Sequence, residues 1–154
     1  MTLTDGVARV DVDAIEVATP IPPYSAGGDV RLHVRLTCEN FMGAGSSWVD
    51  RDVWQHFLQQ LERLVDRRDG EAVVESMSPK DLRLRIFATD HAGHMAIEGQ
   101  LRTRSVSDLR WQFGAIQFDP SLLPLLLSEL RAVQAENTPP SRLKPCGHDP
   151  DRMG

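Results

Sequence analysis

The chain has 154 residues, of which 41% are hydrophobic, 25% charged and 6% aromatic, and its formal net charge is −5 at pH 7. A chain of this length buries roughly two-thirds of its unfolded surface around one core, and the composition excludes disordered, collagen-like and disulfide-rich proteins. No apolar run approaches the roughly 20 residues of a membrane helix, and the start lacks the pattern of a secretion signal. We therefore expect a cytoplasmic protein without a membrane partner, and the mild acidity argues against nucleic acid as a partner.

Strands dominate the N-terminal third of the chain. Apolar and polar residues alternate with a period of two over 7–18 and again over 29–40, which predicts two strands. The second strand places on one side Val30, Leu32, Val34 and Leu36, and on the other Arg31, His33 and Arg35. Residues 42–47 are rich in glycine and serine and predict a flexible turn, followed by a short extended piece at 47–49.

Two segments have the pattern of amphipathic helices. Over 51–68 the apolar residues recur every three or four positions and form one stripe. Asp50 is a suitable N-cap for this helix, and Gly70 stands where a left-handed terminator is expected. A second helix is predicted to begin near Ser121 and to end at Asn137.

Strands are predicted between the two helices, at 71–77, 81–89, 94–102 and 108–118. The second and third form a hairpin, because Asp90 and Gly93 occupy the first and fourth positions of a type I turn. A polar loop is expected at 103–107. In the last strand the residues expected on one face are Leu109, Trp111, Phe113 and Ala115.

The order β-β-β-α-β-β-β-β-α predicts the fold class. Most strands are joined by connections too short for parallel crossovers, so we expect an α+β two-layer sandwich. Its mostly antiparallel sheet would have about six to seven strands, with both helices on one face and the other face open. Residues 1–136 form the single domain, and 137–154 form a flexible, proline-rich tail.

The sequence contains no catalytic motif, so we expect neither an enzyme nor a bound cofactor. Asp90, His91 and His94 could hold a metal, but their positions at a turn favour a structural hairpin. Cys146 and His148 also offer metal-binding atoms, although no second pair of ligands accompanies them. We expect no metal site at either place.

The polar face of the predicted sheet is the candidate partner-binding surface. If the strands are neighbours, its basic residues gather on one surface: Arg31, His33, Arg35, Arg83, Arg85, Arg102 and Arg110. Guanidinium groups suit carboxylate and phosphate recognition. The alternative is a solvated face on which the arginines pair across strands with acidic residues, each exposed pair contributing about 0.2–1 kcal/mol. The acidic candidates are Glu71, Glu75 and Glu98, and further Asp11 and Asp13.

Several segments together resemble a known family. They are Phe41–Gly43, Trp48–Arg51, Phe57–Leu64, Gly70–Met77, Leu82–Ile86, Asp90–His94 and Phe118–Pro124. In this order and spacing they resemble the WapI-like immunity proteins of bacterial toxin systems, over about residues 29–135. The resemblance implies a small cytoplasmic protein that binds and blocks a cognate toxin protein without catalysis, and it assigns no functional residues.

Other functions and surfaces remain open at this stage. The arginine-bearing face suits an acidic partner, whereas the net acidity suits a cationic toxin bound elsewhere, for instance around Glu39, Asp50 and Asp52. The same arginines could serve an anion- or nucleic-acid-binding module. An open sheet face could also support a homodimer.

Overall fold

A computed structural model describes residues 1–104 and 107–136 of the chain. Its strands are β1 (Thr2–Thr4), β2 (Ala8–Val17), β3 (Val30–Cys38), β4 (Phe41–Val49), β5 (Glu71–Glu75), β6 (Leu82–Ala88), β7 (Met95–Arg104) and β8 (Asp108–Phe118). Helix α1 is Arg51–Arg67 and helix α2 is Leu123–Glu136, preceded by a 3₁₀ turn at Pro120–Leu122. The predicted tail, 137–154, lies outside the described residues.

The strands form two antiparallel sheets of four rather than one sheet of six or seven. The first sheet has the order β1-β2-β3-β4 and the second the order β5-β6-β7-β8. The predicted α+β class with mostly antiparallel strands is confirmed. The two sheets are linked near the end of β4, where the backbone N–H of Met77, just after β5, donates to Trp48 O at 2.8 Å. On helix α1, Gln60 Oε1 accepts the backbone N–H of Val73 on β5 at 2.9 Å. The helix thus covers an edge at which another strand would otherwise pair.

Both sheets and both helices contribute to one hydrophobic core. The alternation predicted for β3 holds, since Val30, Leu32, Val34 and Leu36 are buried. The buried stripe of α1 consists of Trp54, Phe57, Leu58, Leu61 and Leu64. The stripe of α2 consists of Leu123, Leu126, Leu127 and Leu130. Each sheet therefore has an inner face toward this core and an outer face away from it.

The glycine-rich segment after β3 is a strand, so the prediction of a flexible turn there is wrong. Strand β4 pairs with β3 over its whole length. Gly43 lies opposite Leu36 on the inner face, and a Cβ at Gly43 would come within 3.0 Å of Trp111 Nε1. Glycine is present there because the indole of Trp111, from the second sheet, fills that space. The inner faces of the two sheets meet at this contact.

Three further features of the secondary structure differ from the sequence predictions. Strand β1 is too short to show an alternation, and it was not predicted. Helix α1 is terminated by Arg68 in the left-handed conformation, its N–H donating to Leu64 O, and not by Gly70. The predicted loop 103–107 is shorter, because β7 continues to Arg104 and β8 starts at Asp108.

A β-bulge shifts the alternation in β8. Ile97 pairs with Ile116, but Gly99 pairs with Phe113, so two residues of β8 lie opposite Glu98 alone. An extra residue moves every later side chain to the other face. Ile116 is therefore buried, whereas Ala115, expected on the same face as Phe113, is exposed.

We expect the substitution Gly99→Ala to destabilise the protein by about 1–3 kcal/mol. An added Cβ would lie 2.5 Å from the carbonyl oxygen of Arg83 and 2.8 Å from Cδ2 of Leu84. Gly114→Ala is the matched control in the neighbouring strand, because a Cβ there would meet nothing within 4 Å. Urea denaturation followed by circular dichroism measures both free energies of unfolding. Equal stability of the two variants would contradict the close approach of β6 and β7 at Gly99.

Candidate partner-binding surfaces

The structure divides the seven predicted partner-binding residues between two surfaces. We call Arg31, His33 and Arg35 the first-sheet cations, because they lie together on the outer face of β3. We call Arg83, Arg85, Arg102 and Arg110 the second-sheet arginines, because they lie on β6, β7 and β8. The strands β3 and β6 belong to different sheets, so the two sets lie on different sheets.

Arg85 is the most constrained of the second-sheet arginines. Its Nε donates to Glu71, and its Nη1 donates to Glu98 Oε1 at 2.9 Å. The guanidinium carbon also lies 4.0 Å from the ring centroid of Phe87. The hydrogen bond to Glu71 and then that to Glu98 raise the pKa of Arg85 above its usual value. The solvated, ion-paired alternative therefore describes this residue well.

Arg102 and Arg110 share the carboxylate of Asp108. Arg102 makes the bidentate contact, with Nε at 2.6 Å from Oδ1 and Nη2 at 2.8 Å from Oδ2. Arg110 Nη2 is more distant, at 3.5 Å from Oδ2. The hydrogen bond from Arg102 is the largest cause of the lowered pKa of Asp108. This pairing joins the two strands of the β7–β8 hairpin near the end at which they are connected.

Arg83 differs from its neighbours in having no ion pair or side-chain hydrogen bond within the described part of the chain. It borders a shallow cavity of about 350 Å³ on the outer face of the second sheet. Gly99 and Gly114 also line this cavity, together with Gln100 and Gln112. The depression lies beside the bulge in β8, and Arg83 places a positive charge at its margin.

The first-sheet cations lie directly opposite acidic residues of β2. Arg31 pairs in register with Glu16, His33 with Asp13 and Arg35 with Asp11. The Arg31 contact is loose, with Nη1 at 3.5 Å from the Glu16 carboxylate.

Arg35 forms no ion pair within residues 1–104 and 107–136, because Asp11 is already engaged. Asp11 accepts hydrogen bonds from Arg9 Nε, at 3.0 Å, and from Thr2 Oγ1, at 2.5 Å. The side chain of His33 likewise has no hydrogen bond or ion pair to the described residues. The guanidinium of Arg35 is exposed and remains available to another molecule.

The side chain of Asp90 bonds within the β6–β7 turn. Asp90 Oδ1 accepts the backbone N–H groups of Ala92 and His94, and its Oδ2 lies 2.6 Å from His94 Nδ1. The hydrogen bond from His94 is the largest cause of the lowered pKa of Asp90. No group of three or more His, Cys, Asp or Glu side chains suited to a metal occurs in the described ranges. Cys146 and His148 lie outside them.

The acidic residues considered as another binding surface also lie in two separate places. Asp50 and Asp52 lie at the start of α1, and Glu39 lies in the β3–β4 turn at the far end of β4. The structure adds Asp29 to the first place, since its Oδ1 accepts the backbone N–H of Arg51 at 3.0 Å. Sequence reasoning missed Asp29, because its proximity to α1 depends on the return of the chain between β2 and β3.

The segment between β2 and β3 is a second feature that sequence reasoning missed. Residues 19–24 are all exposed, and they include Ile21 and Tyr24. Pro20, Pro22 and Pro23 indicate a break between strands, but a break alone does not predict that apolar side chains project from it. A cluster of prolines around an isoleucine and a tyrosine is the signal that could have been used.

Comparison with known proteins assigns the chain to a family. The sequence model described as the "Immunity protein WapI-like family" matches residues 4–136, and the chain belongs to this family. The match begins at residue 4 and therefore includes β2, which the resemblance over 29–135 did not cover. No curated protein and no solved structure shows a significant match. Separately, no helix within 1–104 and 107–136 is long and apolar enough to cross a membrane.

The ion pair at Asp108 predicts a pH dependence of stability. The pKa of Asp108 is lowered in the folded protein, so its contribution is present above the unfolded pKa of about 4 and is lost as the pH falls through the folded value. We expect the free energy of unfolding to decrease below about pH 4, and to decrease less steeply in Asp108→Asn. Urea denaturation between pH 7 and pH 3 measures this. Identical pH profiles of the two proteins would contradict the role of Asp108.

Proposed function

We propose that this chain neutralises a toxin domain by binding it, without catalysing a reaction. The observation that carries the proposal is the match to the WapI-like immunity protein family over residues 4–136. Blocking a toxin requires a stable interface, which typically buries about 800 Å² on each partner. Antiparallel sheets fixed to one core offer such surfaces with little rearrangement on binding.

Within this proposal, the outer face of the first sheet is the better candidate for the toxin-binding surface. Arg35 and His33 have no partners among the described residues, and Arg31 holds Glu16 only loosely. Arg85 and Arg102 would have to give up short hydrogen bonds to carboxylates before binding a toxin. Breaking such charge-assisted bonds costs more than recruiting a solvated guanidinium.

The acidic residues of β2 alternate with these cations, so the surface carries both signs of charge. This favours specific recognition of a protein over attraction to any polyanion. The same observation weighs against the anion- or nucleic-acid-binding alternative, since Asp11, Asp13 and Glu16 would repel phosphates approaching the first-sheet cations. A complementary toxin would present acidic groups toward Arg35.

The proposed function predicts protection from a specific toxin. Toxin domains taken from reading frames that neighbour the gene of this chain are expressed one at a time in a sensitive bacterial host, with this chain or with an empty vector. We expect growth to be restored only by this chain, and the two purified proteins to form a complex by isothermal titration calorimetry. Equal killing with and without the chain, together with no heat of binding, would refute toxin neutralisation.

The choice of surface predicts different effects of two charge reversals. Arg35→Glu should weaken toxin binding about tenfold, a change of about 1.4 kcal/mol, because the side chain is free of internal partners. Arg83→Glu is the matched control, since Arg83 is equally unpaired but lies on the second sheet. Calorimetric affinities measure both effects. If only Arg83→Glu weakens toxin binding, the second-sheet arginines form the binding surface. If neither variant weakens it, neither set of basic residues forms the binding surface, and the neutralising function itself is unaffected.

A further inference from the structure

The loop between β2 and β3, residues 18–29, presents an unusual apolar tip. We call it the β2–β3 loop. Its residues 19–24 are consecutively exposed, with Tyr24 89% and Ile21 61% exposed to solvent. A single exposed apolar side chain is common on protein surfaces, but a projecting group of isoleucine, tyrosine and prolines is typical of an interaction site.

Hydrogen bonds within the β2–β3 loop fix its shape without a partner. The backbone N–H and C=O groups of Ile21 and Ser25 bond to each other, both at 2.9 Å, and the N–H of Tyr24 donates to Ile21 O at 2.7 Å. At the base, Ala18 N donates to Asp29 O at 2.8 Å. The prolines restrict the backbone further. A preorganised loop loses little conformational entropy when it binds, so more of its contact energy appears as affinity.

The charges at the base of the β2–β3 loop indicate what kind of surface it fits. A small depression of about 160 Å³ there is lined by three carboxylates, Asp29, Asp50 and Asp52, and by Arg51. The side chain of Asp52 is 88% exposed, and its Oδ1 makes a loose contact with Arg51 Nε at 3.7 Å. Three acids against one base leave a local negative charge beside the apolar tip. A surface that offers an apolar pocket bordered by lysine or arginine side chains complements both features.

The position of the β2–β3 loop makes it continuous with the first-sheet cations. Beside the loop, Glu16, Arg31 and Trp48 form a cross-strand row on the outer face. Three neighbouring strands of nine or ten residues cover a projected area on the order of 400–500 Å², which is below the roughly 800 Å² of a standard interface. A contact at the margin of this face would supply the remaining area, and the loop projects from that margin.

We propose that the β2–β3 loop is the anchor by which this chain docks on the toxin domain, at a basic patch that lies beside the acidic groups facing Arg35. Tyr24 and Ile21 enter an apolar pocket of the toxin, and Asp52 faces basic side chains at the border of that pocket. Tyrosine is enriched among the residues that dominate binding energy, because it buries a large area with few rotatable bonds. This inference rests on the proposed function and adds the chemistry of the partner surface.

The test of the apolar anchor is the double variant Ile21→Ala, Tyr24→Ala, titrated calorimetrically with the toxin domain used above. We expect the dissociation constant to rise by about 30–100-fold. Leu125→Ala is the matched control, since Leu125 is a similarly exposed apolar residue on α2. Both variants should have the same urea midpoint of unfolding as the wild-type chain, because none of the three side chains belongs to the core. A change of less than threefold in the double variant would overturn the anchor.

The test of the acidic border compares Asp52→Asn with Asp66→Asn, another exposed acid of α1 near its opposite end. We expect Asp52→Asn to raise the dissociation constant severalfold at low salt and to reduce its dependence on ionic strength. Asp66→Asn should leave both unchanged. Equal behaviour of the two variants would show that the partner surface is not basic where the loop binds, which would overturn the proposed docking.

The remaining outcomes separate the anchor from the function on which it rests. Failure of the wild-type chain to bind the toxin domain would overturn both. Binding by the wild-type chain that the double alanine variant and Asp52→Asn both retain would overturn the anchor alone. Sedimentation velocity of the chain without toxin tests a second copy as the occupant. A dimer that the double alanine variant abolishes, with toxin binding unchanged, would assign the loop to self-association and overturn its role in toxin binding.

Discussion

The contact between Trp111 and Gly43 determines how the two sheets are arranged. The indole from β8 occupies the place where any side chain at Gly43 would lie, so the inner faces approach closely at this point. Helices α1 and α2 complete the same core from their apolar stripes. Because the inner faces are committed to each other and to the helices, only the outer faces, the loops and the solvent-facing sides of the helices remain for contact with another molecule.

Charge is distributed differently over the two outer faces. On the second sheet, Arg85 and Arg102 hold carboxylates at hydrogen-bonding distance. These ion pairs join neighbouring strands. On the first sheet, Arg9 and Thr2 engage Asp11 and leave Arg35 without an ion pair among the described residues. Arginines that alternate with apolar residues in the same way therefore differ in their availability for binding. The difference depends on which acidic residues lie on the neighbouring strand.

Much of the fold could be predicted from local patterns, and the errors have physical causes. Alternation identified β3 and β6, and apolar spacing identified α1, because each element buries one side. The turn assigned to the glycines after β3 was wrong, since the reason for Gly43 is a tryptophan 68 residues further along the chain. The candidate residues on β3 and β6 could be placed on outer faces, but not on separate sheets. Their separation depends on which strands pair with each other, and no local pattern contains that information.

Each of the eight strands in the described part of the chain pairs only with strands that are adjacent to it in the sequence. The hydrogen-bonded pairings therefore require only the closure of short loops, which is fast and entropically inexpensive for an all-antiparallel meander. The association of the two meanders is different, because it joins residues as distant as Gly43 and Trp111. We expect this late association to limit the folding rate, so that mutations in the seam between the sheets slow refolding more than mutations within either meander.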